Sequence, residues 1–247
     1  MVYLKPDETL DDLLINELKI IQKNKGFRFT LDSILLAQFA TIKEGDRVVD
    51  LGTGTGIIPL ILSARNRKQH IYGVEIQEEM VEMACRSVCL NGLENKITII
   101  QADIRELNQY LEGGSYKLVT ANPPYWTLNE GKTSDLQSRA FSRHEVKCDL
   151  EDIVASASKL LNNQGRFALI HRSERLSDIF ILMRQYKLEP RRVRFIHPFI
   201  DKEAQQVLVE ARKNAPPDLK VLPPLIVYER PGKYSTEVLR WYGKEAE

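Results

Sequence analysis

The chain is short of cysteine, histidine and tryptophan, with three, four and two of them in 247 residues. Cys85, Cys89 and Cys148 form neither a disulfide framework nor a metal-ligand array. Cys85 and Cys89 stand four apart in a helical pattern with Val81 and Val88, which predicts buried structural thiols. His171, ending a predicted strand, and His197 are read as structural and not catalytic, and nothing calls for a metal. No apolar run reaches membrane-spanning length, and "MVYLKPDETLDD" carries no signal-peptide core. A soluble, reduced, cytoplasmic protein with no membrane partner is therefore expected. An excess of one charge is also missing: 35 basic and 34 acidic residues leave +1. That excludes a polycation, so a nucleic-acid partner needs a local basic patch. Internal repeats, low-complexity stretches and linkers are absent too.

What is present is an alternation of short apolar runs with helical patterns, the rhythm of an α/β sheet. "RVVDLG" (47–52), "HIYGVEI" (70–76), "KITIIQAD" (96–103), "YKLVTA" (116–121) and "RFALIHR" (166–172) read as strands. Helices are predicted over 57–65, 77–92, 150–165 and 173–186, the last capped by Ser173. "IRELNQYL" is a shorter helical segment. The strands "RRVRFIHP" (191–198) and "AQQVLVEARK" (204–213) are too close for a helical crossover and must pair antiparallel. The expected fold is a Rossmann-like seven-stranded sheet, mostly parallel with an antiparallel last strand, and helices on both faces.

One domain is expected over 1–247: an extension (1–46), the core sheet (47–213) and a peripheral C-terminal hairpin (214–247). In the extension, "ELKIIQKNKGFRFT" reads as a small hairpin, and "TLDSILLAQFA" starts a helix capped by Thr30 or Asp32. The C-terminal stretch is too rich in proline for a central strand. Its "LIVYERPGKYS" reads as a hairpin turning at Pro231-Gly232.

Chemistry concentrates where strands end. In "VVDLGTGTG" (48–56) a strand runs into a helix through Gly52, Gly54 and Gly56, which allow a tight turn and close ligand approach. The spacing is G-x-G-x-G and not the G-x-G-x-x-G of dinucleotide sites, and Asp50 precedes it. S-adenosylmethionine has no phosphate and carries a sulfonium and an ammonium, so a carboxylate beside the turn suits it. Glu75 ends the next strand, placed to accept from ribose hydroxyls, and Ile76 beside it joins the cofactor-contact set. Asp103 ends the third strand, where it can accept from an adenine amine. All fall on the carboxyl rim, where open α/β sheets bind ligands.

"ANPPYW" (121–126) ends the fourth strand on the same rim. Asn122 precedes proline and is held extended. Pro123 and Pro124 fix φ and remove two donors, leaving the Asn122 side-chain oxygen and the Pro123 carbonyl as acceptors, with Tyr125 as a flat face. Two acceptors can hold both hydrogens of a planar NH2 group and aim its lone pair at a methyl donor.

Together, "DLGTGTG…GVEI…QAD…ANPPY" resembles the class I methyltransferases that modify exocyclic or side-chain amide nitrogens. The ends of the chain, "LKIIQ…FRFTLDSILLAQFA" and "PPLIVYERPGKYSTEV", resemble the bacterial tRNA1(Val) adenine N6-methyltransferases, which modify the purine beside the anticodon. The resemblance implies S-adenosyl-L-methionine as cofactor and tRNA as substrate. It places Thr30 and Asp32 near the methionine end and stacks Tyr125 on the target base. Cofactor contacts expected are thus Thr30, Asp50, Gly52, Gly54, Gly56, Glu75, Ile76, Asp103 and Asn122; the catalytic turn is Asn122, Pro123, Pro124 and Tyr125.

Guanine N2 of ribosomal RNA, glutamine N5 of a protein and a non-catalytic RNA-binding scaffold stay open as alternatives. For an RNA partner, the polar connection 126–148 offers Lys132, Arg139, Arg143 and His144 to phosphates, with Trp126 and Phe141 for stacking. The stretch "RQYKLEPRRVR" (184–194) is a second candidate basic face.

Overall fold

The computed structural model describes residues 3–24, 31–65, 70–124 and 149–243. An antiparallel hairpin of β1 (Glu8–Asp12) and β2 (Lys19–Lys23) comes first, then α1 (Leu31–Phe39). The alternating part runs β3 (Arg47–Leu51), α2 (Ile57–Arg65), β4 (His70–Glu75), α3 (Glu78–Leu90) and β5 (Ile97–Gln101). A short 3-10 turn (Ile104–Gln109) leads to β6 (Tyr116–Ala121). Beyond it come α4 (Leu150–Leu160), β7 (Leu161–Arg172), α5 (Leu176–Gln185), β8 (Leu188–His197) and β9 (Gln206–Lys213). The C-terminal stretch adds β10 (Lys220–Val221), β11 (Leu225–Ile226), β12 (Tyr228–Arg230), β13 (Lys233–Tyr234) and α6 (Thr236–Trp241).

The main sheet has the order β10-β8-β9-β7-β6-β3-β4-β5, with β11 also on β8. Strand β9 is antiparallel to β7 and β8, and the other pairs are parallel. The seven long strands are those expected, including the antiparallel closing pair. Strands β10 and β11 add an edge that the prolines did not predict, and β12 with β13 forms the anticipated hairpin.

Period-2 alternation sends successive side chains to opposite faces. Val48, Leu118, Ala168, Ile170 and Leu208 pack on α1 and α2. Their neighbours Val49, Val119, Phe167, Leu169 and Val209 pack on α4 and α5. Because both faces are covered, the strands read as continuous apolar runs. The order reverses direction at β3, with β4 on one side and β6 on the other. That makes the carboxyl ends of β3 and β6 the switch point, where ligands enter this architecture.

Several expectations need correction. The N-terminal hairpin pairs Glu8–Asp12 with Lys19–Lys23 and does not lie within 17–30. Helix α4 stops at Leu160; regular pairing with β6 resumes at Arg166, after a register shift in which Gln164 takes a positive φ. Ser173 does not cap α5, because its hydroxyl donates to the Ala204 carbonyl at 2.5 Å. Asp32 lies inside the first turn of α1, and its carboxylate accepts from Gln206. Cys85 and Cys89 are exposed free thiols. Helix α3 buries Met80, Met83, Ala84, Ser87 and Val88, and positions 85 and 89 fall off that face. No described helix is long and apolar enough to cross a membrane.

Candidate active site at the switch point

The site is built on the carboxyl ends of four adjacent strands, β6, β3, β4 and β5. Asp50, near the end of β3, sits opposite Thr120 of β6 and accepts a 2.6 Å hydrogen bond from its hydroxyl. The side chain is fully buried, and its Oδ2 has no hydrogen-bond partner among the described residues; neither does the Thr53 hydroxyl in the turn above. Burial pushes the Asp50 carboxyl up to about 7, against the opposing pull of the Thr120 and Thr53 hydroxyls, with the nearby Glu75 charge adding to the rise.

The glycine turn is tied to β4. Gly52 N and Thr53 N both donate to the Val74 carbonyl at 2.9 Å, and Gly56 N to the Thr53 carbonyl at 3.0 Å. Gly54 N donates to Glu75 Oε2 at 2.9 Å. The other Glu75 oxygen accepts from Ile76 N and Gln77 N at 3.0 Å each. Gly52 (φ 71) opens onto free space: a Cβ there would have nothing within 4 Å. At Gly56 (φ 85) a Cβ would come within 3.3 Å of the Ala84 methyl, so that glycine serves helix packing.

This bookkeeping discriminates between ligands. A phosphate-binding glycine turn aims its N–H groups at an anion. Here the N–H groups of Gly52, Thr53, Gly54 and Gly56 are spent on carbonyls and on a carboxylate. Two buried carboxylates and an open glycine surface suit a cationic ligand bearing hydroxyls, not a pyrophosphate.

Ile76 is 41% exposed beside Glu75, an apolar surface at the rim. Asp103 caps the 3-10 turn by accepting from Arg105 N at 2.9 Å. The Arg105 guanidinium grips the same carboxylate and holds it below the usual carboxylate range. Asn122, just past β6, donates from Nδ2 to the Ser33 hydroxyl of α1 at 2.9 Å. Pro123 is half-buried and Pro124 exposed. The structure therefore brings Asp50, Gly52, Gly54, Gly56, Glu75, Ile76, Asp103, Asn122, Pro123 and Pro124 to one rim. Thr30, Tyr125 and the connection 126–148 lie outside the described residues.

Sequence reasoning passed over two residues. Gly73, inside β4, would place a Cβ 2.9 Å from Thr53 Cγ2 and 3.0 Å from Ile99 Cδ1. A glycine within a strand signals such a close approach. Ser33 carries no signal of its own. His171 is buried, and burial lowers it to about 4, so it stays neutral at pH 7. His197 is bonded to the Lys202 carbonyl at 2.7 Å; both fit structural roles.

Four of the five basic residues of the stretch 184–194 are ion-paired. Arg184 pairs with Glu189, Arg191 with Asp218 and Arg192 with Glu210. Arg194 forks onto Glu237 with two 2.7 Å bonds and lies over the Trp241 ring. Arg191 and Arg194 thereby fasten the C-terminal segment to β8, while Arg184 and Lys187 stay exposed.

The fold defines a class, an α/β protein of Rossmann-like architecture with its acids and glycines gathered at the switch point. Comparison with known proteins agrees. Residues 42–211 match the methyltransferase domain family model, and the chain belongs to that family. A tRNA1(Val) (adenine(37)-N6)-methyltransferase of Porphyromonas gingivalis is 29% identical over 232 residues, covering 90% of this chain and 89% of the relative. A Parabacteroides distasonis protein of the same name is 28% identical over 181 residues, 72% of this chain and 74% of the relative. Among solved structures, an Agrobacterium tumefaciens protein described as a predicted O-methyltransferase superposes with a TM-score of 0.70. It is 24% identical, over 87% of this chain and 98% of that one. TrmN of Thermus thermophilus gives 0.52 at 22% identity, over 73% of this chain and 48% of that one.

Proposed function

We propose that the protein is an S-adenosylmethionine-dependent methyltransferase acting on the N6 amine of adenine in a tRNA, beside the anticodon. The observation that carries this reading is the Asn122-Pro123-Pro124 turn on β6, next to a glycine turn whose N–H groups are already spent. The relatives' names support the choice of base and RNA.

The residues fit the cofactor. The unpartnered Asp50 Oδ2 offers negative charge beneath the turn, Gly52 offers open space, and Glu75 offers acceptor lone pairs to ribose hydroxyls. Ile76 offers an apolar surface to the adenine ring, and Asp103 an acceptor to its amine, in competition with Arg105. When bound, the cofactor supplies a methyl group on a positively charged sulfur, open to a nitrogen lone pair.

The chain's own part is positioning. An adenine N6 amine is a weak nucleophile because its lone pair is delocalised into the ring. The Asn122 side-chain oxygen and the Pro123 carbonyl accept its two hydrogens and free the lone pair. No strong base is required, since the alkylated nitrogen is acidic enough to lose its proton to solvent. A base in an anticodon loop is weakly stacked, and turning it outward costs about a few kcal/mol.

Nucleoside and peptide analysis tests the assignment. Tritiated cofactor is incubated with unmodified tRNA, ribosomal RNA and a release factor in parallel. Label in N6-methyladenosine from tRNA is expected; label in N2-methylguanosine or N5-methylglutamine would replace the assignment.

A further inference from the structure

We infer that Ser33 is a positioning residue for the methyl transfer, setting which way the Asn122 amide faces. The inference rests on the proposed function and names a residue that function did not require.

An asparagine amide is nearly symmetric in shape, and a half-turn about χ2 exchanges its oxygen and its NH2. The exchange matters here. With the oxygen toward the substrate, Asn122 accepts a hydrogen from the amine; with NH2 there, two donors face each other. Ser33 breaks the symmetry. Its hydroxyl oxygen takes the Nδ2–H of Asn122 at 2.9 Å. The oxygen meets the Nδ2–H as an acceptor and places the Asn122 NH2 on the α1 side.

The hydroxyl acts from a rigid mount. Ser33 is buried, as are Ile34, Leu35, Leu36 and Ala37. At the first turn of α1, Asp32 Oδ2 accepts from Gln206 Nε2 of β9 at 2.6 Å. At the far end, Arg65 donates to the Ala37 and Ala40 carbonyls, and Gln38 donates to the Trp241 carbonyl of α6 at 2.8 Å. Helix α1 is thus fixed at both ends, to β9 on one side and to α2 and α6 on the other. A hydroxyl held this way can hold an amide on another element, 89 residues away in the chain. Asn122 is restricted on its own side by the proline that follows it.

Ser33→Ala removes the acceptor, and Ser33→Thr keeps it. For Ser33→Ala we expect kcat to fall about ten- to a hundredfold, with KM for tRNA and the Kd for cofactor each within about twofold of wild type. Ser33→Thr should recover most of the rate. A readout independent of catalysis is the Asn122 side-chain NH2 signal in a 15N-correlated NMR spectrum, identified by its loss in Asn122→Ala. In wild type it should exchange slowly with water, and in Ser33→Ala quickly. Thermal melts and calorimetric cofactor binding show whether each variant is folded. A variant that melts early and binds no cofactor, or Ser33→Ala with wild-type kcat and unchanged amide exchange, overturns the positioning role. Wild-type protein that methylates no adenine overturns the proposed function and this role with it. Wild-type methylation with an unaffected Ser33→Ala overturns this role alone.

Discussion

Replacing Asp50 by asparagine keeps the shape of the side chain and removes its charge, which tests the electrostatics of the site. The carboxyl lies at about 7 in the folded protein, raised from an ordinary 3.8 chiefly by burial. At about 1.4 kcal/mol per pKa unit, holding it ionised in the fold costs about 4 kcal/mol. The sign follows from proton binding. Between pH 3.8 and about 7 the folded chain binds this proton more tightly than the unfolded chain does. Stability therefore falls as pH rises through that window and levels off above it. Asparagine has no such dependence, and its NH2 is left unpartnered much as the protonated carboxyl is. The difference between the two proteins should be near zero at pH 4 and reach about 2–4 kcal/mol in favour of Asp50→Asn at pH 8. Urea denaturation at intervals from pH 4 to 8 measures it. His171 and Glu8 titrate in both proteins and cancel in the difference. The same substitution should weaken cofactor binding, because the cationic end loses its countercharge. An Asp50→Asn protein less stable than wild type by a constant amount at every pH would refute the reasoning.

Other substitutions probe the rest of the rim and its support. Glu75→Gln leaves either Gly54 N or the Ile76 and Gln77 amides without an acceptor. It should cost about 1–3 kcal/mol of stability and raise the cofactor Kd, read by melting and calorimetry. Gly73→Ala drives a methyl into Thr53 and Ile99, with an expected loss of about 1–3 kcal/mol and weaker cofactor binding through the displaced turn. Where α3 packs on the N-terminal hairpin, the Arg86 guanidinium holds the Glu8 carboxyl of β1 down to about 2. That contribution is present above about 4.5 and lost as pH falls through about 2. Arg86→Ala should remove this acid dependence and destabilise the protein by about 3 kcal/mol, measured by acid unfolding.

Much of the fold was legible because short apolar runs alternate with helical patterns, and because two strands stood too close for a crossover. The rim motifs were legible for the same reason: glycine, acid and proline each occur where a strand ends. The misreadings have physical causes. Cys85 and Cys89 lie in a helical pattern, but the buried face is set by Met80, Met83, Ala84, Ser87 and Val88, packed in part on a hairpin that local pattern could not place. The ion pairing of the basic run 184–194 was not legible, because Glu210, Asp218 and Glu237, which pair with three of its arginines, come later in the chain. The Ser33–Asn122 bond was invisible for a similar reason: an ordinary helical serine shows nothing until folding brings it to β6. Gly73 did leave a trace, as a glycine in the middle of a short strand.

The central claim is that the Asn122-Pro-Pro turn presents an adenine amine for methylation. Its most direct test is single-turnover transfer from labelled S-adenosylmethionine to an unmodified anticodon stem-loop, comparing wild type with Asn122→Ala. We predict N6-methyladenosine from wild type, a loss of at least a hundredfold in the variant, and cofactor binding retained by both. Equal rates from the two proteins, or label on any atom other than adenine N6, would contradict the account.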